Sequence, residues 1–406
     1  MLLASAINKL LMTHRFSIFT LASLLLLVCV GTSAKKRTFN EAKAIAQRQA
    51  TSLGATLSSA SIETAKRLNA PSVSSGSLAY YVFPHDRGKG FTIVSGDDQL
   101  PEIVAYSDRG SYDVAHLPDG YKMFLELYSD MVDELAQGHP SAMQAVSQAQ
   151  RRAQTKAARP VVTPLLGDRM WNQYAPFNNL CPMDGTNPTV TGCVATALAQ
   201  VFAYWRFPEA LLVDIPAYTT YTKRLKVPAI ASGEPYDWDR MLDIYEEGYY
   251  SQEEADAVAK LMLHCGAALQ MDYTSSSSGA NIFLAKLTKY FGYDAETMQE
   301  LERDHYSLEE WMDLLDAELQ AKRPVLYSGS SSTVGHQFVC DGSDGDGLYH
   351  INWGWGGYQD GYFDITLLNP DKGGAGSGSD ADGYTKGCRA IIGIQPGDGT
   401  VTVEPL

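Results

Sequence analysis

Thr191-Gly-Cys-Val-Ala-Thr-Ala-Leu-Ala-Gln-Val-Phe-Ala-Tyr-Trp205 is the stretch from which the rest of this chain can be read. Val194, Ala197, Leu198, Val201 and Trp205 fall at i, i+3, i+4, i+7 and i+11, one apolar helix face that stops before Pro208. Gly192 is a flexible entry, which places Cys193 at the helix N-terminus. Unsatisfied N–H groups and the positive end of the dipole favour a thiolate there. Val194 opens the buried stripe, so Cys193 is free to point away from it. Taken alone, the same residue reads equally well as a packing cysteine at a helix start.

A thiol nucleophile needs a base. Gly335-His336-Gln-Phe-Val-Cys340 puts a histidine just before an apolar strand, far from the cysteine in sequence, as a spatial Cys/His pair requires. Asp341-Gly-Ser-Asp-Gly-Asp-Gly347 then reads as a turn, Leu348 to Asn352 as a strand, and Trp353-Gly-Trp-Gly-Gly357 as a tight corner. A hairpin is expected to return Asn352 beside His336. Its carbonyl would accept from one imidazole nitrogen and leave the other facing sulfur, with Trp353 covering the bond. Upstream, Gln173 in Trp171-Asn-Gln carries an amide suited to hold an oxyanion. Each has a plainer reading: a structural strand-edge histidine, an aromatic corner, a surface glutamine.

Four segments together carry a resemblance: Trp171-Asn-Gln-Tyr-Ala-Pro-Phe-Asn178, Thr191-Gly-Cys-Val-Ala-Thr-Ala197, Gly335-His-Gln-Phe-Val339 and Tyr349-His-Ile-Asn-Trp-Gly-Trp-Gly-Gly357. They resemble the streptopain family of secreted bacterial cysteine peptidases over about Pro160 to Pro396. Tyr80-Tyr-Val-Phe83 and Gly90-Phe-Thr-Ile-Val-Ser-Gly-Asp-Asp98 resemble that family's inhibitory propeptide. The resemblance implies an α+β, papain-like peptidase domain, helical part plus antiparallel β part, behind a small α+β pro-domain. It implies Cys193 as nucleophile, His336 as base, Gln173 in the oxyanion hole, and Asn352 and Trp353 as the histidine-orienting corner. Ser278 and Gly279, within Asp272 to Ala280, match a substrate-binding loop favouring an apolar P2 residue, and Val334 and Gly335 are expected to contact substrate as well. Gly373 to Gly387 resembles a mobile Gly-rich loop beside the site. The insert Asn179 to Asn187, with Cys181, departs from the motif and is expected to alter the primed-side rim. The chain ends at Leu406, so attachment through a long C-terminal extension is not expected.

Working outward, charge divides the chain. Lys35 to Arg159 carries 15 Lys+Arg and 13 Asp+Glu, a net of +2, whereas Pro160 onward carries 15 and 34, a net of −19. Gln148 to Arg159 is polar and basic, a helix tail or a protease-sensitive linker. Expected domains are a signal at 1–34, a propeptide at 35–159 and a peptidase at 160–406. In the first half, Phe39 to Leu68 is rich in helix formers, Leu78–Phe83, Phe91–Ser95 and Ile103–Tyr106 read as strands, and Tyr121–Gln137 reads as a helix with Met123, Leu125, Leu127 and Val132 inward. His85 and His116 are expected to be solvated. In the second half, Gln252 to Leu269 reads as an amphipathic helix. Gln337–Cys340, Leu348–Trp353, Tyr362–Ile365 and Ala390–Ile394 read as strands.

Lys9 and Arg15, the apolar run Phe16 to Val30 and Thr32-Ser-Ala34 read as a secretory signal peptide. Val28 is larger than the residue a lipoprotein signal places before its cysteine, so attachment at Cys29 is not expected. No later run approaches the roughly 20 apolar residues of a membrane span. Removal of Cys29 leaves Cys181, Cys193, Cys265, Cys340 and Cys388, an odd count that leaves at least one thiol free and the pairing of the others open. The formal net charge of −15 argues against nucleic acid as partner. Expected partners are protein and peptide substrates and the chain's own propeptide. No cofactor or metal is called for: the histidines lack paired ligand spacing, Asp341, Asp344 and Asp346 lack the spacing of a calcium loop, and Gly373 to Gly378 is not a phosphate loop. The rival reading is a secreted inhibitor or binding protein without catalysis, which would need neither Cys193 nor His336.

Overall fold

The computed structural model describes residues 36–58, 79–113, 117, 119–139, 143, 159–330, 335–364 and 388–398. Of the two compact units of the chain, Met1–Lys36 and Arg37–Leu406, the second holds all described residues but Lys36. The signal segment with Cys29, His116, the linker before Arg159, Val334 and the Gly-rich stretch 373–387 lie outside the described residues.

The chain runs α1 (Phe39–Ser52), β1 (Tyr80–Pro84), β2 (Phe91–Ser95), β3 (Ile103–Ser107), α2 (Asp119–Ala136) and β4 (Val161–Val162). Two small ribbons, β5 with β6 (Met183–Asp184, Asn187–Pro188) and β7 with β8 (Tyr218–Thr219, Lys226–Val227), flank α3 (Cys193–Trp205). Then come α4 (Gln252–Ala268), α5 (Leu284–Phe291), β9 (Gln299–Glu302), α6 (Leu308–Gln320), β10 (Val325–Ser330), β11 (Gly335–Asp344), β12 (Tyr349–Asn352), β13 (Gly361–Phe363) and β14 (Arg389–Ile392). The helices begin where the sequence supplies caps: Thr38, Ser251 and Ser307 each form a capping box with a glutamate three residues on.

Among the described residues one antiparallel sheet runs β1-β2-β3-β13-β12-β11-β10-β14-β9, with β4 paired to β11. The strands of the first half therefore continue directly into those of the second, through Tyr106 opposite Tyr362 and Ala105 opposite Phe363. Gly361 permits this approach, because a Cβ there would meet the Tyr106 carbonyl oxygen at 2.4 Å. One core joins the two halves on one side of the sheet: Tyr121, Phe124 and Tyr128 of α2 pack with Phe338, Tyr349, Trp353 and Phe363. A second core holds α3 and α4, with Val258, Leu261, Met262 and Cys265 fully buried as their spacing requires.

Several expectations need correction. The first helix ends at Ser52, well short of Leu68. His85 is buried, with Nδ1 against the Lys89 carbonyl at 2.9 Å and Nε2 against Thr92 Oγ1 at 2.9 Å, so a short hairpin satisfies both ring nitrogens. The Gly/Asp run is not a turn from its start: Asp341 to Asp344 complete β11, and only from Gly345 does the chain reverse. There Asp344 Oδ1 accepts from the N–H groups of Asp346 and Leu348. Asp341 is fully buried and pairs with His350 Nδ1 at 2.6 Å. Cys181, Cys265 and Cys340 are buried free thiols, and Cys388 is buried as well. No described helix is long and apolar enough to cross a membrane.

Candidate active site

Gly192 has φ +87°, and a Cβ on it would stand 2.7 Å from the Ser278 carbonyl oxygen, so the approach to α3 admits only glycine. Cys193 is the first residue of that helix and half-exposed, while Val194 to Ala203 are buried on every side. The Cys193 thiol lies within reach of His336, which borders the same cleft. Burial works against its thiolate. The imidazole and charge of His336, with the backbone N–H groups of Gln337 and Val194, outweigh burial and bring the thiol below its ordinary value.

His336 lies near the start of β11, opposite Gly329 of β10, and is buried. Its Nε2 is 3.0 Å from the Trp353 carbonyl oxygen, which leaves Nδ1 for the thiol. The Trp353 ring is 6.2 Å from the imidazole and is almost wholly buried. Asn352 is not where the hairpin argument puts it. The register sets it opposite Val339, three residues past His336. The Asn352 amide instead braces the corner: Nδ2 donates to the Arg169 carbonyl at 2.9 Å, and Oδ1 accepts from Gly354 N–H at 3.0 Å. The acceptor facing the imidazole is thus the main chain of the next residue.

That brace connects the histidine corner to the segment bearing Gln173. Gly356 N–H donates to the Trp171 carbonyl at 2.8 Å, and Thr191 N–H to the Gln173 carbonyl at 3.1 Å. Gln173 is buried at the cleft wall beside Cys193.

Cys193, His336 and Gln173 line one cleft of about 570 Å³. Gly279 and Gly335 border it, as does Ser278, whose hydroxyl is turned inward to the Val190 carbonyl at 2.7 Å. Sequence reasoning missed the apolar wall of Val190, Ile282 and Ile391, the Tyr174–Trp355 aromatic pair, and the Glu300–Arg389 ion pair at 3.1 Å. Only Tyr174, Trp355 and Ile391 lay in segments already singled out. Cys181 does not line the cleft: it is buried, and burial pushes its pKa up to about 12. No described residue before Gln173 lines the cleft. The first half packs instead behind the corner, with Tyr121 at 6.0 Å from the Trp353 ring and 5.3 Å from Phe363.

Comparison with known proteins agrees with this geometry. Residues 171–363 match the Peptidase C10 family, and residues 34–132 match the Spi protease inhibitor family. Streptopain of Streptococcus pyogenes is 34% identical over 339 residues, spanning 78% of this chain and 80% of streptopain. The thiol protease/hemagglutinin PrtT of Porphyromonas gingivalis is 31% identical over 326 residues, and the matched part spans only 37% of that protein. A fragment of prointerpain A from Prevotella intermedia is similar in structure, with a TM-score of 0.62 and 29% identity over 84% of this chain and 98% of the fragment. Active interpain A gives a TM-score of 0.50 and 36% identity over 59% and 96%. The chain belongs to the Peptidase C10 family of cysteine peptidases and carries an Spi-type inhibitor segment ahead of its peptidase part.

Proposed function

We propose that this chain is a secreted cysteine endopeptidase made as a zymogen. The observation that carries the reading is Cys193 at a helix N-terminus that opens on a cleft shared with His336, whose imidazole favours the thiolate. The thiolate attacks the scissile carbonyl carbon, and the carbonyl electron pair moves to oxygen. The Cys193 N–H and the Gln173 amide hold that oxyanion. Imidazolium His336 gives its proton to the leaving amine as the C–N bond breaks, which leaves a thioester. Water, losing a proton to His336, attacks the thioester, and the C–S bond breaks to return the thiolate. The Trp353 carbonyl keeps the ring turned so that Nδ1 meets sulfur, and Asn352 keeps the corner against the oxyanion segment.

An extended peptide would run past Gly279 and Gly335, with the Ser278 main chain completing the non-primed side. The apolar wall of Ile282, Ile391 and Val190 supports an apolar P2 side chain. Residues 1–34 direct export. The inhibitory segment runs from Lys35, and the peptidase part begins just before Pro160, at Arg159, which is docked on α6 of the peptidase half.

The test is a fluorogenic peptide with an apolar P2 residue under reducing conditions. Wild-type chain should cleave it after maturation, and folded Cys193→Ala should not. Full activity in that variant would refute the assignment.

A further inference from the structure

Between β12 and β13 the sheet opens into the corner Trp353-Gly-Trp-Gly-Gly-Tyr-Gln-Asp360. The ladder stops at Ile351 opposite Gly361, so the Trp353 N–H has no strand partner. A side chain replaces it: Asp360 Oδ1 accepts from Trp353 N–H at 2.9 Å. The same Trp353 residue offers its carbonyl to His336 Nε2 at 3.0 Å. One residue is therefore pinned at its nitrogen by a carboxylate and spends its oxygen on the imidazole.

We propose that Asp360 is a positioning residue for the peptidase reaction, fixing the Trp353 main chain that orients His336. This rests on the reading of His336 as the base. Asp360 is itself over-determined. It is buried, and its neighbourhood holds the His350–Asp341 pair of β12 and β11 and Arg109 after β3. Burial pushes the Asp360 carboxyl up to about 7, against the Trp353 N–H and the His350 charge. Burying so costly a group where an apolar residue would pack suggests that its acceptor is what matters, since the Trp353 N–H would otherwise be left orphaned. Asn352 cannot substitute, because its own amide is committed to Arg169 and Gly354.

The experiment uses the full chain matured by immobilised wild-type enzyme. Asp360→Ala should lower kcat by about 10–100-fold with KM within about twofold, the scale of a slight misplacement of a reacting group. Iodoacetamide labelling of Cys193 against pH should shift its acid limb upward, because a loosely held imidazole pairs less well with the thiolate. Asp360→Asn, whose amide oxygen still accepts from Trp353 N–H, should recover most of kcat and the labelling profile. Wild-type kcat and labelling in Asp360→Ala would overturn the proposal. So would an Asp360→Asn variant as impaired as Asp360→Ala, since that would make charge and not the acceptor decisive. If the alanine variant does not fold, hydrogen exchange in the unsubstituted chain decides: a protected Trp353 amide supports the bond, and a freely exchanging one refutes it. Lack of peptidase activity in the wild-type chain would instead refute the functional reading itself.

Discussion

Arg159 is where the two halves of the chain meet, and its contacts allow a worked prediction. Its guanidinium reaches three carboxylates on one face of α6: Asp316 at 2.5 Å, Glu309 at 2.5 Å and Asp313 at 3.2 Å. The Arg159 side chain is 11% exposed and Asp316 9%, whereas Glu309 and Asp313 are 62% and 68% exposed. The next residues are committed to the same half: the Pro160 carbonyl accepts from Ser343 Oγ, and Val161 and Val162 pair with β11. In Arg159→Ala the two exposed pairs cost about 0.2–1 kcal/mol each at most. The Asp316 pair is nearly buried, so its loss lies toward the lower end of about 3–5 kcal/mol, since the Tyr349 hydroxyl still donates to Asp316. A total of about 3.5–5 kcal/mol corresponds to a fall in Tm of about 7–20 °C for a peptidase part of this size. Calorimetry on Cys193→Ala chain, which cannot digest itself, measures it. A double-mutant cycle should give about 2 kcal/mol of coupling with Asp316 and under about 0.5 kcal/mol with Glu309. N-terminal sequencing of the mature enzyme should begin at or before Arg159. A Tm change under 2 °C, stronger coupling to Glu309 than to Asp316, or a mature chain beginning after Arg159 would refute the reasoning.

Gln173→Ala should lower kcat by roughly 10²–10³ and leave KM nearly unchanged, as expected for loss of one oxyanion donor; steady-state kinetics that moved only KM would assign it to ground-state binding. Tyr121→Ala empties a fully buried site against Trp353 and Phe363. At about 3–5 kcal/mol it should weaken the hold of the inhibitory segment by at least about 10² and shorten the lag before activity appears. Raising salt to about 0.5 M should not mimic it, because the described contact is chiefly apolar and its Arg109–Asp168 pair is exposed. In His336→Ala, burial acts on Cys193 against the Gln337 and Val194 N–H groups alone, so its thiol should rise from the value it holds beside His336. Alkylation near pH 6 should then fall by more than tenfold and recover at high pH, and an unchanged profile would deny the thiolate–imidazole pair.

What the sequence discloses follows from which interactions leave a local signature. The α3 helix and Cys193 at its head are legible because periodicity, the entering glycine and the closing proline all act within one short segment. The Trp353 carbonyl is not legible, since any residue carries one and only the register decides which oxygen faces His336. That register depends on the slip at Gly342, and a bulge leaves little more than a glycine in the sequence. His85 beside Gly88 and Gly90 reads as solvated, yet the strand pair folds the Lys89 carbonyl and the Thr92 hydroxyl onto its two ring nitrogens. Asp341 reads as a turn residue until its partner His350 is seen across the ladder. The pairing of β3 with β13 has no local signal at all, because each strand pairs across most of the chain.

That pairing changes what inhibition means physically. The described part of the inhibitory segment grips the corner that carries His336: Tyr121 packs on the Trp353 ring, Ser107 Oγ donates to the Asp360 carbonyl at 2.6 Å, and the Gln359 amide donates to the Ser111 carbonyl at 3.0 Å. Residues on the peptidase side of this contact therefore serve two ends. Trp353 orients the imidazole with its carbonyl while its ring receives α2, and Asp360 holds Trp353 while its own carbonyl receives β3. A substitution there cannot loosen the inhibitory segment without also disturbing the histidine. Tyr121, Phe124 and Ser107 have no such second duty, because they leave with the segment when it is removed. Control of latency separable from catalysis is thus available on the inhibitory side of the interface.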